Sequence, residues 1–297
     1  LRGWSASSAC AVAAVVGGCA GAPDAERFIQ EYGLQPKIGA LYELEHQGRP
    51  AGWLYGAVHF GTPERPSLSQ AGARALAQAR HLYFEHLLPV DHSRWLGGTV
   101  ASDLHGAAAV KRGSVTAERA SQAARALKEA EQASSGVAAV APTDASYHQN
   151  LALIHNYCGA FLEYGTERLA LALAAASNIT LHALETDASR QEAMQACKDR
   201  PAGKPPLSAK HTPARGSMCK QLLHEVQLDQ RQDRSYSVTP AQACVLGARH
   251  RIMAARIAEA VDAGRRPFVV VGRGHLARGQ NLIELLQAQG LRVRRVE

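Results

Sequence analysis

Two apolar runs near opposite ends of the chain finish in the same way. Ala51–Val58 ends in Gly56-Ala57-Val58-His59, and Arg266–Val271 ends in Gly272-Arg273-Gly274-His275. Each predicts a buried strand, then a glycine that lets the backbone turn or approach closely, then a histidine. Ala40–Glu45 alternates apolar and polar residues, and His46-Gln47-Gly48-Arg49-Pro50 is a turn sequence. Together with Ala51–Val58 this predicts a β-hairpin. Leu68, Ala71, Ala75 and Leu76 have helical spacing within Leu68–Ala79, which follows Pro66, and Ser67 is the expected N-cap. His81–Phe84 predicts a short strand running into Glu85, and Ile179–Leu184 another running into Glu185. Phe268–Val271 and Leu291–Val296 predict the last two strands.

Between these ends the pattern turns helical. Helices are predicted over Ala117–Ala133, over Ala145–Ser177 with a break near Gly159 or Gly165, from Glu185 to about Cys197, and over Met218–Gln230, Pro240–Ala263 and Gln280–Gln289. Asp199–Gly216, rich in Pro, Gly and Lys, reads as a surface loop. Strands alternating with helices at both ends of the chain predict an α/β fold. Its mixed central sheet carries flanking helices and an inserted helical layer.

The chain has 297 residues and is 46% hydrophobic, enough for one α/β domain over residues 20–297. Its net charge of +7 is dispersed and aromatics are only 5%, so no basic, aromatic-interleaved stripe marks a nucleic-acid surface. Residues 1–19 differ: Arg2, then the small apolar run Ala6–Val16, then Val16-Gly17-Gly18-Cys19. This is the layout of an export signal, and its ending resembles a lipoprotein box with Cys19 as the lipidated residue. A periplasmic protein held at the outer membrane by a lipid anchor is expected; cleavage beyond Cys19 without a lipid is the alternative. With Cys10 in the signal, Cys158, Cys197, Cys219 and Cys244 remain. An even number in an oxidising compartment predicts disulfides, with three possible pairings. Cys197 and Cys219 bracket the loop 198–217, which favours Cys197–Cys219 and leaves Cys158 with Cys244. Four buried free thiols are the other reading.

A histidine just past a buried strand sits where open α/β sheets place their ligands, outside the carboxyl ends of the strands. His59 and His275 offer imidazole nitrogens, and Glu85 and Glu185 follow strands of their own. Two histidines with one or two carboxylates form a nitrogen/oxygen set suited to manganese, cobalt or zinc. A carboxylate left off the ion can serve as general base. Arg249, on the helix before Phe268–Val271, can pair with a carboxylate or hold an anionic intermediate. The alternative for each is structural: satisfied histidines at unrelated strand ends and a salt bridge between Glu185 and Arg249.

Three stretches resemble the signatures of the TraB/GumN family, relatives of the Tiki proteins. The first is Gly52-Trp-Leu-Tyr-Gly-Ala-Val-His-Phe-Gly-Thr62 through Leu82-Tyr-Phe-Glu85. The second is Gly165-Thr-Glu-Arg-Leu169 through Leu184-Glu185-Thr186. The third is Arg249-His-Arg-Ile-Met-Ala254 through Phe268-Val-Val-Val-Gly-Arg-Gly-His-Leu276, closing on Gly290-Leu-Arg-Val293. The resemblance implies an α/β fold shared with the erythromycin-esterase and ChaN-like groups. It also implies a site built from the two Gly-x-x-His motifs, with motif glycines Gly56 and Gly272, and nearby acidic residues. Because Tiki members are divalent-metal-dependent proteases, it implies metal-dependent hydrolysis of a peptide or protein substrate. On that reading His59, Glu85 and His275 are metal ligands, Glu185 is ligand or general base, and Arg249 supports them. The rival readings are a non-catalytic haem- or metal-binding lipoprotein, as the ChaN similarity implies, and a degenerate scaffold. Three residues depart from the family pattern. Arg273 stands where a small residue is usual, Asn281 where glycine is common, and His250 where asparagine is frequent. An Arg273 aimed inward would repel a cation. His81, His86, His182 and His250 are expected to be incidental.

Overall fold

The computed structural model describes residues 25–36, 39–85, 153–177, 179–200, 215–231, 240–276 and 282–296, with part of 116–126. The export signal, Cys19, His86 and most of the helix expected over 117–133 lie outside the described residues. No described helix is long and apolar enough to cross a membrane.

After helix α1 (Ala25–Tyr32), strands β1 (Ala40–His46) and β2 (Arg49–Ala57) form the expected hairpin. Gln47 and Gly48 at its turn both have positive φ, 52° and 73°, the combination that matches the twist of the flanking strands. Helix α2 (Gln70–Ala77) leads to β3 (His81–Phe84), and α3 (Thr166–Ala175) to β4 (Thr180–Ala183). Helices α4 (Asp187–Ala196), α5 (Arg215–Arg231) and α6 (Pro240–Asp262) follow. The described chain closes with β5 (Phe268–Gly272), α7 (Leu282–Ala288) and β6 (Leu291–Arg295).

The six strands form one mixed sheet in the order β4-β3-β5-β2-β1-β6, the class the pattern predicts. β4, β3, β5 and β2 run parallel, so their carboxyl ends share an edge. β1 is antiparallel to both β2 and β6. β5 lies between β2 and β3, in register from Trp53 opposite Phe268 to Ala57 opposite Gly272. A central parallel strand is buried on both faces, which explains the unbroken run Phe268–Val271. Phe268 and Val270 pack with Phe28, Leu76 and Leu169 from α1, α2 and α3. Val269 and Val271 pack with Met253, Ile257 and Leu286 from α6 and α7. Each large side chain so buried contributes about 1.5–3 kcal/mol of transfer free energy.

Local chemistry corrects several expectations. The cap of α2 is Ser69, whose side chain accepts from the Gly72 N–H, and not Ser67. Ser67 is buried and donates its hydroxyl to the Phe60 carbonyl. The long helix expected before β4 is broken at both glycines. Residues 153–157 are helical, Gly159 takes φ 82°, and a 3-10 turn spans Leu162–Tyr164. Helix α5 starts at Arg215, earlier than the expected Met218.

The four cysteines do form two disulfides, but not in the expected pairs. They join Cys158 to Cys219 and Cys197 to Cys244, with Cα atoms 5.0 and 5.9 Å apart. Proximity along the chain misled, because packing between helices decides which thiols meet. Cys197 caps α4, which packs against α6, the helix that carries Cys244. Cys219 lies on α5 and meets Cys158 at the end of helical residues 153–157. Val226, Leu222 and Leu223 of α5 pack on Val58 and Phe60, just past β2, so this inserted helix sits beside the carboxyl edge of the sheet.

Candidate active site at the carboxyl edge of the sheet

Parallel pairing decides what stands along this edge. Past β4 comes Glu185, past β3 Glu85, past β5 His275 and past β2 His59. The pairing of β3 with β4 continues beyond the strands, because the Glu185 N–H donates to the Glu85 carbonyl at 2.9 Å.

Arg249 on α6 reaches both carboxylates. Its Nε donates to the two oxygens of Glu185 at 3.0 and 3.1 Å. Its Nη2 donates to Glu185 Oε2 at 2.6 Å and to Glu85 Oε2 at 3.0 Å. The Glu185 side chain is fully buried, and those of Arg249 and Glu85 are 16% and 21% exposed. A guanidinium fork matches a carboxylate in this two-bond manner. Burial weakens the Arg249 charge, but the two glutamates outweigh it and raise its pKa further.

Glu85 is gripped from the other side as well. Its Oε1 accepts from the Gly272 backbone N–H and stands 3.3 Å from His275 Nε2. Gly272 leaves room for this contact, since a Cβ would stand 2.9 Å from that oxygen. Gly56 is a buried residue of β2 paired with Val271. On its far side His275 Nδ1 meets His250 Nε2 at 2.7 Å, and both rings are buried. His250 is therefore not incidental. The sequence hid this because the contact depends on how α6 lies on β5.

His59 is arranged differently. Its side chain is 69% exposed, and its Nδ1 lies 2.7 Å from Glu167 Oε1 in the first turn of α3. The chain is tied together at this point by Thr166. Its N–H donates to the Val58 carbonyl, and its hydroxyl accepts from the Val58 N–H and donates to the Ser67 carbonyl. Gly165 permits the approach, since a Cβ would fall 2.0 Å from the His59 carbonyl oxygen. Glu167 is a site residue that sequence reasoning did not single out. The only signal was its place inside Gly165-Thr-Glu-Arg-Leu169, and an acidic residue in a first helical turn is commonplace.

His81 and His182 form a separate pair, with Nδ1 and Nε2 2.9 Å apart between β3 and β4. Arg273 is buried and donates from Nη1 to the Leu228 carbonyl of α5 at 2.6 Å, so the arginine inside the second motif is anchored on the inserted helix.

The charges are ordered. Burial alone would raise the Glu85 pKa, but His275, Arg249 and the Gly272 N–H together hold it well below the usual carboxylate range. Burial opposes the Glu167 charge too, and His59 overcomes it, so this carboxyl is also lowered. Neighbouring Glu85 repels it, which places the two carboxylates within electrostatic reach. A carboxyl with a lowered pKa in the folded state binds fewer protons than in the unfolded chain. Its stabilisation is complete above the unfolded value, about 4.3, and is lost as pH falls through the folded one. Denaturant unfolding measured from neutral pH down to about pH 3 should show stability falling below that value, and Glu85→Gln should flatten the fall. Parallel curves for the two proteins would show that Glu85 is not held in this way.

For a divalent ion, the donor chemistry fits: two imidazoles and two carboxylates at neighbouring strand ends are a mixed nitrogen/oxygen set. Among the described residues no three His, Cys, Asp or Glu side chains form a group that could hold an ion. Of these four donors Glu85 and His275 stand together, whereas His59 pairs with Glu167 and Glu185 with Arg249.

The model of the TraB/PrgY/gumN family matches residues 40–295, nearly the whole chain, and the protein belongs to that family. No curated protein and no solved structure matches it.

Proposed function

We propose that this TraB/PrgY/gumN family member is an exported, lipid-anchored hydrolase that cleaves peptide bonds with the help of a divalent ion. The observation that carries the reading is one sheet edge shared by two histidine–carboxylate pairs and a Glu–Arg–Glu network. Manganese, cobalt or zinc would be held by His59, Glu85 and His275, and would polarise a carbonyl and lower the pKa of water. The protein's own groups have separable tasks. Ionised Glu167 can only accept, so the neutral His59 ring carries its proton on Nδ1. The Nε2 lone pair then points away from Glu167 and would bind an ion or take a proton from water. Glu167 stabilises the His59 charge that forms in the second case. Arg249 spends its hydrogen bonds on Glu185 and Glu85, so its task is to hold Glu85 beside His275. Glu185, with both oxygens engaged by Arg249, orients that guanidinium.

Two further features support export. The two disulfides suit an oxidising compartment. Arg2, the apolar run and Val16-Gly17-Gly18-Cys19 suit cleavage and lipidation at Cys19. The test is elemental analysis of the mature protein combined with assays on a peptide library, with and without chelator. Turnover that requires the ion, and mass spectrometry showing an acylated chain beginning at Cys19, are the expected results. Bound metal without turnover on any peptide would replace the hydrolase by a metal-binding lipoprotein. Absence of both would leave a scaffold.

A further inference from the structure

The two edges of the sheet differ in charge. The carboxyl edge carries the glutamates of the site, whereas the amino edge carries exposed arginines. Leu82 of β3 and Trp53 of β2 both stand opposite Phe268 of β5. Arg80 and Arg266 each lie two residues before that level, and Arg49 lies four before it at the start of β2. Arg265 is beside them and donates from Nη1 to the Tyr83 hydroxyl at 3.0 Å. All four arginines are exposed. Arg266 lies over the Trp53 ring, 5.2 Å from its centroid. Burial, and then the charges of Arg265 and Arg80, lower the His81 pKa, so these two guanidiniums act on one spot. Among the described residues no ion pair holds any of the four. The acids nearby have partners of their own. Glu45 pairs with Arg292 and Arg294, and Glu259 with Arg256, although the Glu259 charge also reaches Arg265. Asp262 stands 3.6 Å from His46. Four arginines against Asp262 leave this edge positive.

The chain enters the fold at the same edge. α1 packs on α2, and Glu26 at its start bonds to Arg74 of α2. Past its end, the Gln35 carbonyl accepts from the Gln70 N–H at the start of α2. The two helices are therefore antiparallel, and α1 begins where α2 ends, just before β3. Five residues, of which only Asp24 is charged, separate Cys19 from Ala25. The six Cα steps between them span at most about 20 Å.

We propose that the amino edge of the sheet is a membrane-docking surface, where Arg49, Arg80, Arg265 and Arg266 meet the headgroups of anionic phospholipids. A guanidinium fork matches phosphate oxygens in two bonds. A lipid on Cys19 keeps this edge within about 20 Å of the bilayer. The lipid alone leaves the domain free to turn, and the arginines fix which way it faces. Ten residues, about 30 Å of extended chain, separate Arg49 from His59. The docked domain therefore turns its site away from the bilayer and open to substrate. The tether and the orientation rest on the lipid-anchored reading, whereas the attraction of the arginine edge to anionic lipid does not.

The experiment is sedimentation of the full chain with vesicles of phosphatidylcholine and with vesicles of equal phosphatidylcholine and phosphatidylglycerol. Cys19→Ser keeps the anchor lipid off, and the apolar segment before it is common to every variant compared. Binding to the anionic vesicles is expected to be the stronger. It should fade between about 0.1 and 1 M salt, as the Debye length falls from about 10 to 3 Å. Each arginine near the surface contributes about fivefold, so Arg80→Gln with Arg266→Gln should weaken this binding about 25-fold. Arg190→Gln with Arg251→Gln removes the same charge from α4 and α6 toward the carboxyl edge, and should weaken it about threefold at most. Equal binding to the two kinds of vesicle would overturn the proposal. So would an equal loss in the two double variants, because net charge alone would then explain the binding. If Arg266→Gln does not fold, Arg49→Gln with Arg80→Gln puts the same question. Mass spectrometry that finds no acyl group on the native chain would remove the anchor, and the vesicle result would still decide the docking surface.

Discussion

Arg249→Ala is expected to lower the free energy of unfolding by about 3–5 kcal/mol, the cost of breaking a buried ion pair from one side. The figure belongs at the upper end for this site because Glu185 is fully buried and both of its oxygens are bonded to Arg249. With the guanidinium gone, the buried Glu185 carboxylate loses its bonds to Arg249. Glu85 suffers less, since His275 and the Gly272 N–H still hold it. Removing both members of the inner pair should cost far less, because well-packed apolar replacements of a buried ion pair are often near neutral. Glu185→Leu with Arg249→Met is thus expected to recover most of the midpoint lost by Arg249→Ala in urea unfolding, with an unchanged slope. If Arg249→Ala fails to fold, the double variant still answers. A single variant as stable as wild type would mean that water replaces Arg249 around Glu185.

Where a residue's environment is set by its own strand, the sequence was enough. Phe268–Val271 is apolar throughout because β5 is covered on both faces, and that pattern predicts a buried strand. The glutamates after β3 and β4 and the histidines after β2 and β5 were legible for the same reason, since parallel strands deliver their ends to one edge. The order of the strands was not written in any local pattern. β5 inserts between β2 and β3, and only that places His275 beside Glu85. Glu167 escaped notice because its meeting with His59 depends on Gly165 packing against the His59 carbonyl, a contact between segments about a hundred positions apart. His250 and the disulfide pairing are facts of helix packing, and neither α6 on β5 nor α4 on α6 can be deduced from spacing. Arg273 looked like an obstacle to a cation within its motif. Its carbonyl partner lies on α5, an element whose position no feature of that motif foretells.

In a peptidase assay that meets the proposed function, His59→Ala and Glu167→Gln should each lower kcat/KM by about a hundred- to ten-thousand-fold, the range that general acid–base groups supply. Glu167→Gln keeps the shape of the side chain but loses the charge. On the proposed reading the Glu167 carboxylate, 2.7 Å from His59 Nδ1, holds the ring's proton on that nitrogen and would stabilise the ring when a second proton arrives on Nε2. An amide at this position can turn its NH2 toward His59 Nδ1, which favours the other tautomer and removes the Nε2 lone pair that the site requires. Two residues that act as one unit are not additive. The double variant should therefore be no slower than His59→Ala alone, within a few-fold. Stability should change little for His59→Ala, because the His59 side chain is mostly exposed. A double variant whose loss equals the product of the single losses would mean that Glu167 acts on the reaction by a route other than His59. The pair would then be an ion pair at the start of α3 and not a working dyad.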